Sequence, residues 1–419
     1  MTEQKSAIAE YRCPGQARPI SRSVHLGRLA RFYPGCRGCP HREDTGSLPA
    51  KRAGQLVETR PQEAERTLFE DEGVSGVDLN RLTPPVARRL AAAFGTMLRS
   101  GGPATIAIAF DGRPATAPLL AAVGEGLRWA GCRAVELGAA TAPCVAFAVD
   151  HLAAGAGLLV GNPGGYPGGR AHTVGIRFWA PGPIPLSAGS GLERLESLYH
   201  QGVDRPTRRF GPLGRFQADV PYLAALAEHY HALRPLRFLL RTGSRPLVRY
   251  VETLIRPLAC RMIRTAAGDH RMAQEVAAAE AHFAIAIDDD GERATLFDEQ
   301  GRPVSPERLL HLLSRRLFRN GSADTVVLER GSPPELADAL AADGLRVATA
   351  DPGRSDMARA MRHTGAPLGG GPSGRFWHAA EGPPLPDALM TLTLLLKLLS
   401  QSDLPLSQRR EQLLHGSVT

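Results

Sequence analysis

An acidic loop follows an apolar run in the second half of the chain. Residues 283–287 are apolar and of strand length, and Asp288, Asp290 and Glu292 come after them at alternate positions. Carboxylates this close repel one another, so a bound cation would stabilise them. Carboxylate oxygens at this density suit Mg²⁺, completed by water and a phosphate oxygen, and open α/β sheets bind ligands at the carboxyl ends of their strands. The loop predicts a magnesium site, with a solvated acidic turn as the alternative.

A second group of candidate ligands lies near the amino terminus. Cys36 and Cys39 have the spacing of a zinc knuckle, His41 follows two residues later, and Cys13 could complete a set of three thiolates and one imidazole. A segment so poor in apolar residues has little else to hold it folded. The pattern indicates Zn²⁺; an iron–sulfur cluster fits less well with three cysteines, and unligated thiols are the remaining alternative.

Length and composition limit the possible classes of protein. A chain of 419 residues predicts two to four domains. No apolar run reaches the length of a membrane span and the first thirty residues are polar, so we expect a cytoplasmic protein with no membrane partner. The net charge of +8 favours an anionic ligand. Because this charge is spread thinly over the chain, nucleic acid is an unlikely partner.

Apolar strands alternate with amphipathic helices in three successive series. Predicted strands lie at 105–110, 133–137 and 157–160, then at 236–240 and 283–287, then at 325–328 and 345–348, with helices between them. This alternation predicts an α/β fold of mainly parallel sheets. The predicted divisions are an irregular extension containing the cysteines at 1–66, three domains at 67–203, 204–298 and 299–400, and a tail at 401–419.

Five short motifs follow one another along the chain, at 69–76, 109–113, 288–293, 298–301 and 369–374. In type and order they resemble the motifs of the α-D-phosphohexomutase family, the phosphoglucomutases and phosphomannomutases. The run 288–293 is similar to that family's Asp-Gly-Asp-x-Asp-Arg metal loop, and 298–301 to the Asp-Glu-x-Gly turn after it. Residues 69–76 resemble the family's opening motif, 109–113 its Gly-x-Asp-x-Arg segment, and 369–374 its sugar-reading loop. The resemblance covers residues 67 to 400 and implies three consecutive α/β/α sandwich domains of phosphohexomutase type.

The resemblance also implies a reaction and a ligand. In the family a phosphoserine exchanges a phosphoryl group with a hexose phosphate, and Mg²⁺ on the loop carboxylates offsets the charge that shifts. Substrate contacts in this chain would come from four arginines able to fork phosphate oxygens and from the sugar-reading loop: Arg113, Arg177, Arg293, Arg354, Gly371 and Ser373. Ordinary surface arginine is the alternative for these arginines, and it is the preferred interpretation of Arg354.

Several departures from the family pattern bear on catalysis. The loop that should hold the nucleophile, after the strand at 157–160, contains no serine, and the nearest candidates are His172 and Thr173. Asp289 stands in place of a glycine, Gly371 in place of the sugar-gripping glutamate and Arg375 in place of a histidine. The tail after residue 400 is also too short for the family's fourth domain.

We therefore expect a diverged phosphohexomutase homologue that has lost phosphoryl transfer and keeps at most sugar-phosphate or Mg²⁺ binding. One alternative is an active phosphoglucomutase- or phosphomannomutase-like enzyme with an altered nucleophile loop. Another is a zinc-containing scaffold that binds a partner protein or nucleic acid. A protein partner or homo-oligomer is compatible with each of these hypotheses.

Overall fold

The computed structural model describes most of the chain. The described residues are 10–12, 18–31, 33, 36, 39–58, 68–77, 81–99, 104–161, 173–231, 233–319, 324–380, 382–401 and 403–408. No helix in these ranges is both long enough and apolar enough to cross a bilayer.

The amino-terminal extension contains regular structure, so the prediction that it is irregular was wrong. Its elements are β1 (Glu10–Tyr11), β2 (Ile20–Ser21), α1 (Arg22–Ala30) and α2 (Ala50–Glu58). The Ser21 hydroxyl caps α1 by accepting a hydrogen bond from the Val24 N–H at 3.4 Å. Leu29 and Leu56 pack with Cys36 in a small apolar cluster. The few apolar residues of the extension form this local core, although they are too sparse to give a periodic pattern in the sequence.

The first domain is an α/β/α sandwich around a mixed sheet. Its elements are β3 (Phe69–Glu70), β4 (Gly73–Val77), α3 (Pro84–Leu98), β5 (Thr105–Phe110), α4 (Ala117–Trp129), β6 (Arg133–Ala139), α5 (Ala142–His151), β7 (Ala156–Gly161), β8 (Thr173–Ala180), β9 (Ile184–Pro185), α6 (Leu192–Gln201) and β10 (Leu213–Arg215). The strand order is β10-β6-β5-β7-β8-β4-β3, with β9 paired to β8. Because successive side chains alternate between the faces, Ile106 and Ile108 pack beneath α3 and α4, while Ala107 and Ala109 face α5.

The second domain is smaller and has helices on both faces of its sheet. It contains α7 (Asp219–Ala227), β11 (Arg237–Arg241), α8 (Arg245–Ile255), β12 (Arg261–Arg264), α9 (Met272–Ala278), β13 (Phe283–Ile287), β14 (Ala294–Phe297) and β15 (Pro303–Val304). The order β12-β11-β13-β14-β15 is parallel through β13 and antiparallel after it. The acidic loop is therefore the turn between β13 and β14.

The third domain repeats this plan. It contains α10 (Pro306–Arg319), β16 (Thr325–Glu329), α11 (Pro334–Ala342), β17 (Arg346–Ala350), α12 (Arg354–Thr364), β18 (Leu368–Gly370), β19 (Phe376–His378), β20 (Leu385–Pro386) and α13 (Ala388–Leu399). Its strand order is β17-β16-β18-β19-β20, parallel through β18 and antiparallel after it. Three sheet-containing units confirm the predicted fold class.

The sheets extend past two of the predicted domain limits. Residues 213–215 form β10 and pair with β6 of the first sheet, although they lie beyond residue 203. Residues 303–304 form β15 of the second sheet, beyond residue 298. Two- and three-residue strands carry too little hydrophobic pattern to be recognised in a sequence.

One apolar cluster is continuous through all three domains. It joins α5 of the first domain to α7 and α8 of the second and to α10 and α13 of the third. The acidic loop lies where these domains meet. The backbone N–H of Ala142 donates to the Asp290 carbonyl at 2.9 Å, and that of Ala388 donates to the Gly291 carbonyl at 3.0 Å. The first residues of α5 and α13 thus use N–H groups that have no partner within a helix to hold the loop.

Gly291 provides a test of how firmly the loop is held. Its φ is +81°, and a Cβ placed on it would lie 3.1 Å from Cβ of Thr141. We expect Gly291→Ala to lower the free energy of unfolding by about 2–4 kcal/mol, through the left-handed backbone and the crowding of Thr141. Urea titration followed by circular dichroism measures the loss.

Gly365→Ala is the matched control, because φ there is +68° and no atom lies within 4 Å of the added Cβ. The control should lose only about 1–2 kcal/mol from the backbone conformation. Equal losses in the two variants would show that the contact with Thr141 relaxes at no cost.

Candidate functional site

The acidic loop carries its three carboxylates into the junction of the domains, where all are buried. Asp288 follows β13 directly, and its Oδ1 accepts hydrogen bonds from the backbone N–H groups of Glu292 at 2.8 Å and Arg293 at 3.1 Å. Burial, together with Asp290 and Glu292, raises the pKa of Asp288 to about 7. The chain thus concentrates negative charge at one point, as the sequence predicts.

Arg177 of β8 reaches from the first domain into this loop. Its Nη2 lies 2.9 Å from Oδ2 of Asp290, and its Nη1 lies 2.9 Å from Oε2 of Glu292. Burial alone would lower the pKa of Arg177, but the two carboxylates raise it above its ordinary value. One guanidinium therefore bridges two of the three predicted metal ligands.

Two arginines of the third domain complete the arrangement. Arg354, the first residue of α12, places Nη2 2.5 Å from Oε1 of Glu292. Arg375 donates two hydrogen bonds to Glu72 of the first domain, from Nη1 to Oε1 at 2.9 Å and from Nη2 to Oε2 at 2.6 Å. The Nε atom of Arg375 also lies 3.5 Å from Oε2 of Glu292. These contacts tie the first and third domains to the acidic loop of the second.

We call this set the arginine–carboxylate cluster. It comprises three carboxylates and three guanidinium groups: Glu72, Asp290, Glu292, Arg177, Arg354 and Arg375. Burial would raise the pKa of Glu292, but Arg354 and Arg177 lower it to about 2. Burial acts in the same direction on Glu72, and Arg375 outweighs it, so the pKa of Glu72 is also lowered. The cluster is electrically neutral with all six groups ionised.

The arrangement of these donors does not fit Mg²⁺. Within the described part of the chain, no group of three or more His, Cys, Asp or Glu side chains converges as a metal site. Asp290 and Glu292 face one guanidinium, both oxygens of Glu292 contact arginines, and Asp288 bonds to backbone N–H groups. Mg²⁺ requires near-octahedral oxygen ligands at 2.0–2.1 Å. The three predicted ligands thus share one loop without sharing a space for the ion.

The predicted phosphate-binding arginines differ in how far they are already paired. Arg354 is 1% exposed, so the alternative of an ordinary surface arginine was wrong for this residue. Arg113 is held by Asp111, with Nε 2.5 Å from Oδ2. By contrast, Arg293 is half-buried and forms no ion pair with any residue in the described ranges. Arg293 is therefore the arginine available to an added anion.

The sugar-reading loop packs against a glutamate, Glu329, that the sequence analysis did not identify. Glu329, at the end of β16, accepts a hydrogen bond from the backbone N–H of Ser373 at 2.9 Å and another from its hydroxyl. A Cβ on Gly371 would lie only 2.7 Å from the Glu329 Cβ. Burial raises the pKa of Glu329 despite these bonds. Gly371 and Ser373 thus pack against a buried carboxyl group.

A cavity of about 450 Å³ opens beside the arginine–carboxylate cluster. Its lining consists of the turn between β3 and β4 with the strand residues beside it, and of three arginines. The turn and strand residues are Glu70, Asp71, Glu72, Gly73 and Val74, and the arginines are Arg177, Arg293 and Arg375. The Nε atoms of Arg177 and Arg375 are buried and make no hydrogen bond. The cavity thus combines carboxylate acceptors with arginine side chains.

The nucleophile candidates are only partly described. Thr173 is the first residue of β8, and its carbonyl accepts a hydrogen bond from Arg113 Nη1 at 3.4 Å. His172 lies outside the described residues, as does the whole segment 162–172. A catalytic role for either residue stays a prediction.

The candidate zinc ligands are also only partly described. Cys13 lies outside the described residues, while Cys36 and Cys39 are buried. The ring of His41 packs edge-on against Tyr11, with centroids 5.4 Å apart. These three described candidates do not form a metal-binding group. Zinc binding remains a prediction without support from the described residues.

Glu72 and Glu329 were missed by the sequence reasoning. Neither stands in a stretch with metal or catalytic spacing, and each gains its role from a partner elsewhere in the chain, Arg375 for Glu72 and Ser373 for Glu329. Glu72 does lie within the opening motif at 69–76, which was the only signal available.

Comparison with known families and proteins agrees with this architecture. The family models for phosphoglucomutase/phosphomannomutase alpha/beta/alpha domain I and domain III match residues 66–198 and 305–416. A phosphoglucosamine mutase of Rubrobacter xylanophilus is 30% identical over 379 residues, which cover 83% of this chain and 79% of the relative. One from Symbiobacterium thermophilum is 27% identical over 368 residues, covering 81% and 80%.

Solved structures share the fold at lower identity. A phosphoglucomutase/phosphomannomutase family protein of Burkholderia thailandensis superimposes with a TM-score of 0.75 at 22% identity, covering 83% of this chain and 79% of that one. Parafusin, a phosphoglucomutase of Paramecium, gives a TM-score of 0.66 at 12% identity, covering 84% and 74%. Three sandwich domains with these matches show that the chain belongs to the phosphoglucomutase/phosphomannomutase family.

Proposed function

We propose that this protein binds a hexose phosphate in the cavity beside the arginine–carboxylate cluster and does not transfer the phosphoryl group. The observation that carries the proposal is that Arg293, at the wall of that cavity, forms no ion pair with any residue in the described ranges. A guanidinium group that no salt bridge holds favours an anionic ligand, and its geometry matches that of phosphate oxygens.

Two further donors point the same way. Arg177 and Arg375 both line the cavity, and their buried Nε atoms make no hydrogen bond within the described part of the chain. A buried donor without a partner costs about 1–3 kcal/mol, which an oxygen of a bound ligand would recover. Arg293 and these two N–H groups together suit a phosphate, while Glu70 and Asp71, which also line the cavity, offer acceptors to sugar hydroxyl or amino groups.

The relatives suggest which sugar to test first. Two that are similar along most of the chain are phosphoglucosamine mutases. An amino sugar phosphate carries an ammonium group that the acidic turn between β3 and β4 would attract. Glucosamine 6-phosphate is therefore the first probe, with glucose 1-phosphate second.

The loss of phosphoryl transfer is supported by the absence of both parts of the reaction's machinery. Residues 161–172, where the family carries its nucleophile, contain no serine or threonine. Two of the three carboxylates expected to bind the metal, Asp290 and Glu292, are paired with arginines. Without an attacking hydroxyl no phosphoenzyme forms, whatever the affinity for the sugar.

Binding is tested by isothermal titration calorimetry with glucosamine 6-phosphate in the presence of EDTA. We expect saturable binding by the wild type and weakening of about tenfold to a hundredfold in Arg293→Gln, because one charge-assisted contact to phosphate is lost. Arg261→Gln, on an exposed edge strand of the second domain, is the control and should bind like the wild type. Equal affinity in all three proteins, or no binding by the wild type, would contradict the proposed site.

Catalysis is tested by a coupled mutase assay with Mg²⁺ and a hexose bisphosphate activator, with an active mutase as control. We expect no turnover, and mass spectrometry of the treated protein should find no phosphorylated residue. Turnover that disappears in Thr173→Ala, or a phosphate on Thr173, would instead support an active enzyme with a relocated nucleophile.

A further inference from the structure

We propose that Arg177 permanently takes the place of the divalent cation, so that this cleft works without a metal ion. The inference goes beyond the proposed function, because it concerns how the acidic loop is neutralised and holds whether or not a sugar phosphate binds. It rests on the position of one guanidinium, the charge balance around it and the constraints on its movement.

The position is the first step. The two terminal nitrogens of Arg177 approach two different carboxylates, each at 2.9 Å, so the guanidinium lies between Asp290 and Glu292 rather than beside one of them. A metal ion shared by these two residues would need the same space. The planar, delocalised guanidinium is also the cationic side chain best suited to a buried, bidentate position.

The charge balance is the second step. Glu292 contacts Arg354 through Oε1 and Arg177 through Oε2, so neither of its oxygens is left for a metal. The arginine–carboxylate cluster is neutral as it stands, so a bound Mg²⁺ would add two uncompensated positive charges to a buried site. Repulsion from the neighbouring guanidinium groups would oppose entry of the ion.

The constraints on movement are the third step. Arg177 stands on β8 opposite Leu159 of β7, in the interior of the first sheet, so its backbone cannot move without breaking the ladder. The Arg354 guanidinium lies 5.0 Å above the ring of Trp179, two residues further along β8. The Glu292 side chain is one methylene longer than that of an aspartate, and its carboxylate contacts Arg354 of the third domain. The arginine thus belongs to the rigid framework of the cleft.

A gain of metal binding on removing the arginine tests the inference. We expect the wild-type protein to bind no Mn²⁺ at this site, as measured by the electron paramagnetic resonance signal of free Mn²⁺. Arg177→Gln removes the cation that lies between Asp290 and Glu292, and we expect this variant to bind one Mn²⁺ at least about tenfold more tightly than the wild type. Adding Asp290→Asn to this variant should remove the gain, and millimolar Mg²⁺ should compete with the bound Mn²⁺.

Arg302→Gln is the matched control, because it also removes an arginine from a buried carboxylate, Asp298, but one outside the arginine–carboxylate cluster. It should gain no Mn²⁺ site. A folded Arg177→Gln variant with no gain would overturn the inference.

The wild type alone decides the matter if Arg177→Gln does not fold. Its melting temperature should be the same in Mg²⁺ and in EDTA, and an absence of Mn²⁺ binding supports the inference. Stoichiometric Mn²⁺ binding by the wild type that Asp290→Asn abolishes would overturn it. Because no sugar phosphate enters these measurements, their outcome is independent of the binding test on Arg293.

Discussion

Buried charge at the meeting point of three domains is the constraint on which this structure depends. Glu292 and Arg354 are both about 1% exposed, and removing either partner of such a pair would leave an uncompensated charge in a medium that solvates it poorly. The pairs do not lie within one domain. Arg177 and Glu72 come from the first, Asp290 and Glu292 from the second, and Arg354 and Arg375 from the third, so the domains must stay closed together to keep the charges compensated.

Backbone hydrogen bonds around the acidic loop also hold the three domains together. Hydrogen bonds from the first residues of α5 and α13 fix the Asp290 and Gly291 carbonyls, and the continuous apolar cluster behind them prevents the domains from separating. Buried ion pairs contribute less to stability than apolar packing of the same volume, because their desolvation is costly. The apolar cluster therefore supplies the stability, and the arginine–carboxylate cluster specifies one arrangement of the domains.

This arrangement changes what the family framework can do. In a phosphohexomutase the acidic loop serves a metal ion, and a metal ion is exchangeable and can bring a phosphate oxygen with it. A guanidinium offers fixed N–H donors and a charge that does not dissociate. In the proposed ligand-binding protein, Arg293 and its neighbours would keep anion recognition, and the electrophilic assistance that a metal ion gives to phosphoryl transfer would be missing.

The local pattern of the chain determined the secondary structure and the family. The strands at 105–110 and 283–287 lie where the hydrophobic pattern predicts them, and the acidic loop lies at the end of its strand. Hydrophobic spacing carries this information because it depends on neighbours within a few residues. The partners of the acidic loop were decided only by tertiary structure. Arg177 and Glu292 are 115 positions apart and Glu72 and Arg375 are 303 apart, so no local pattern indicates that arginines lie where a metal was expected.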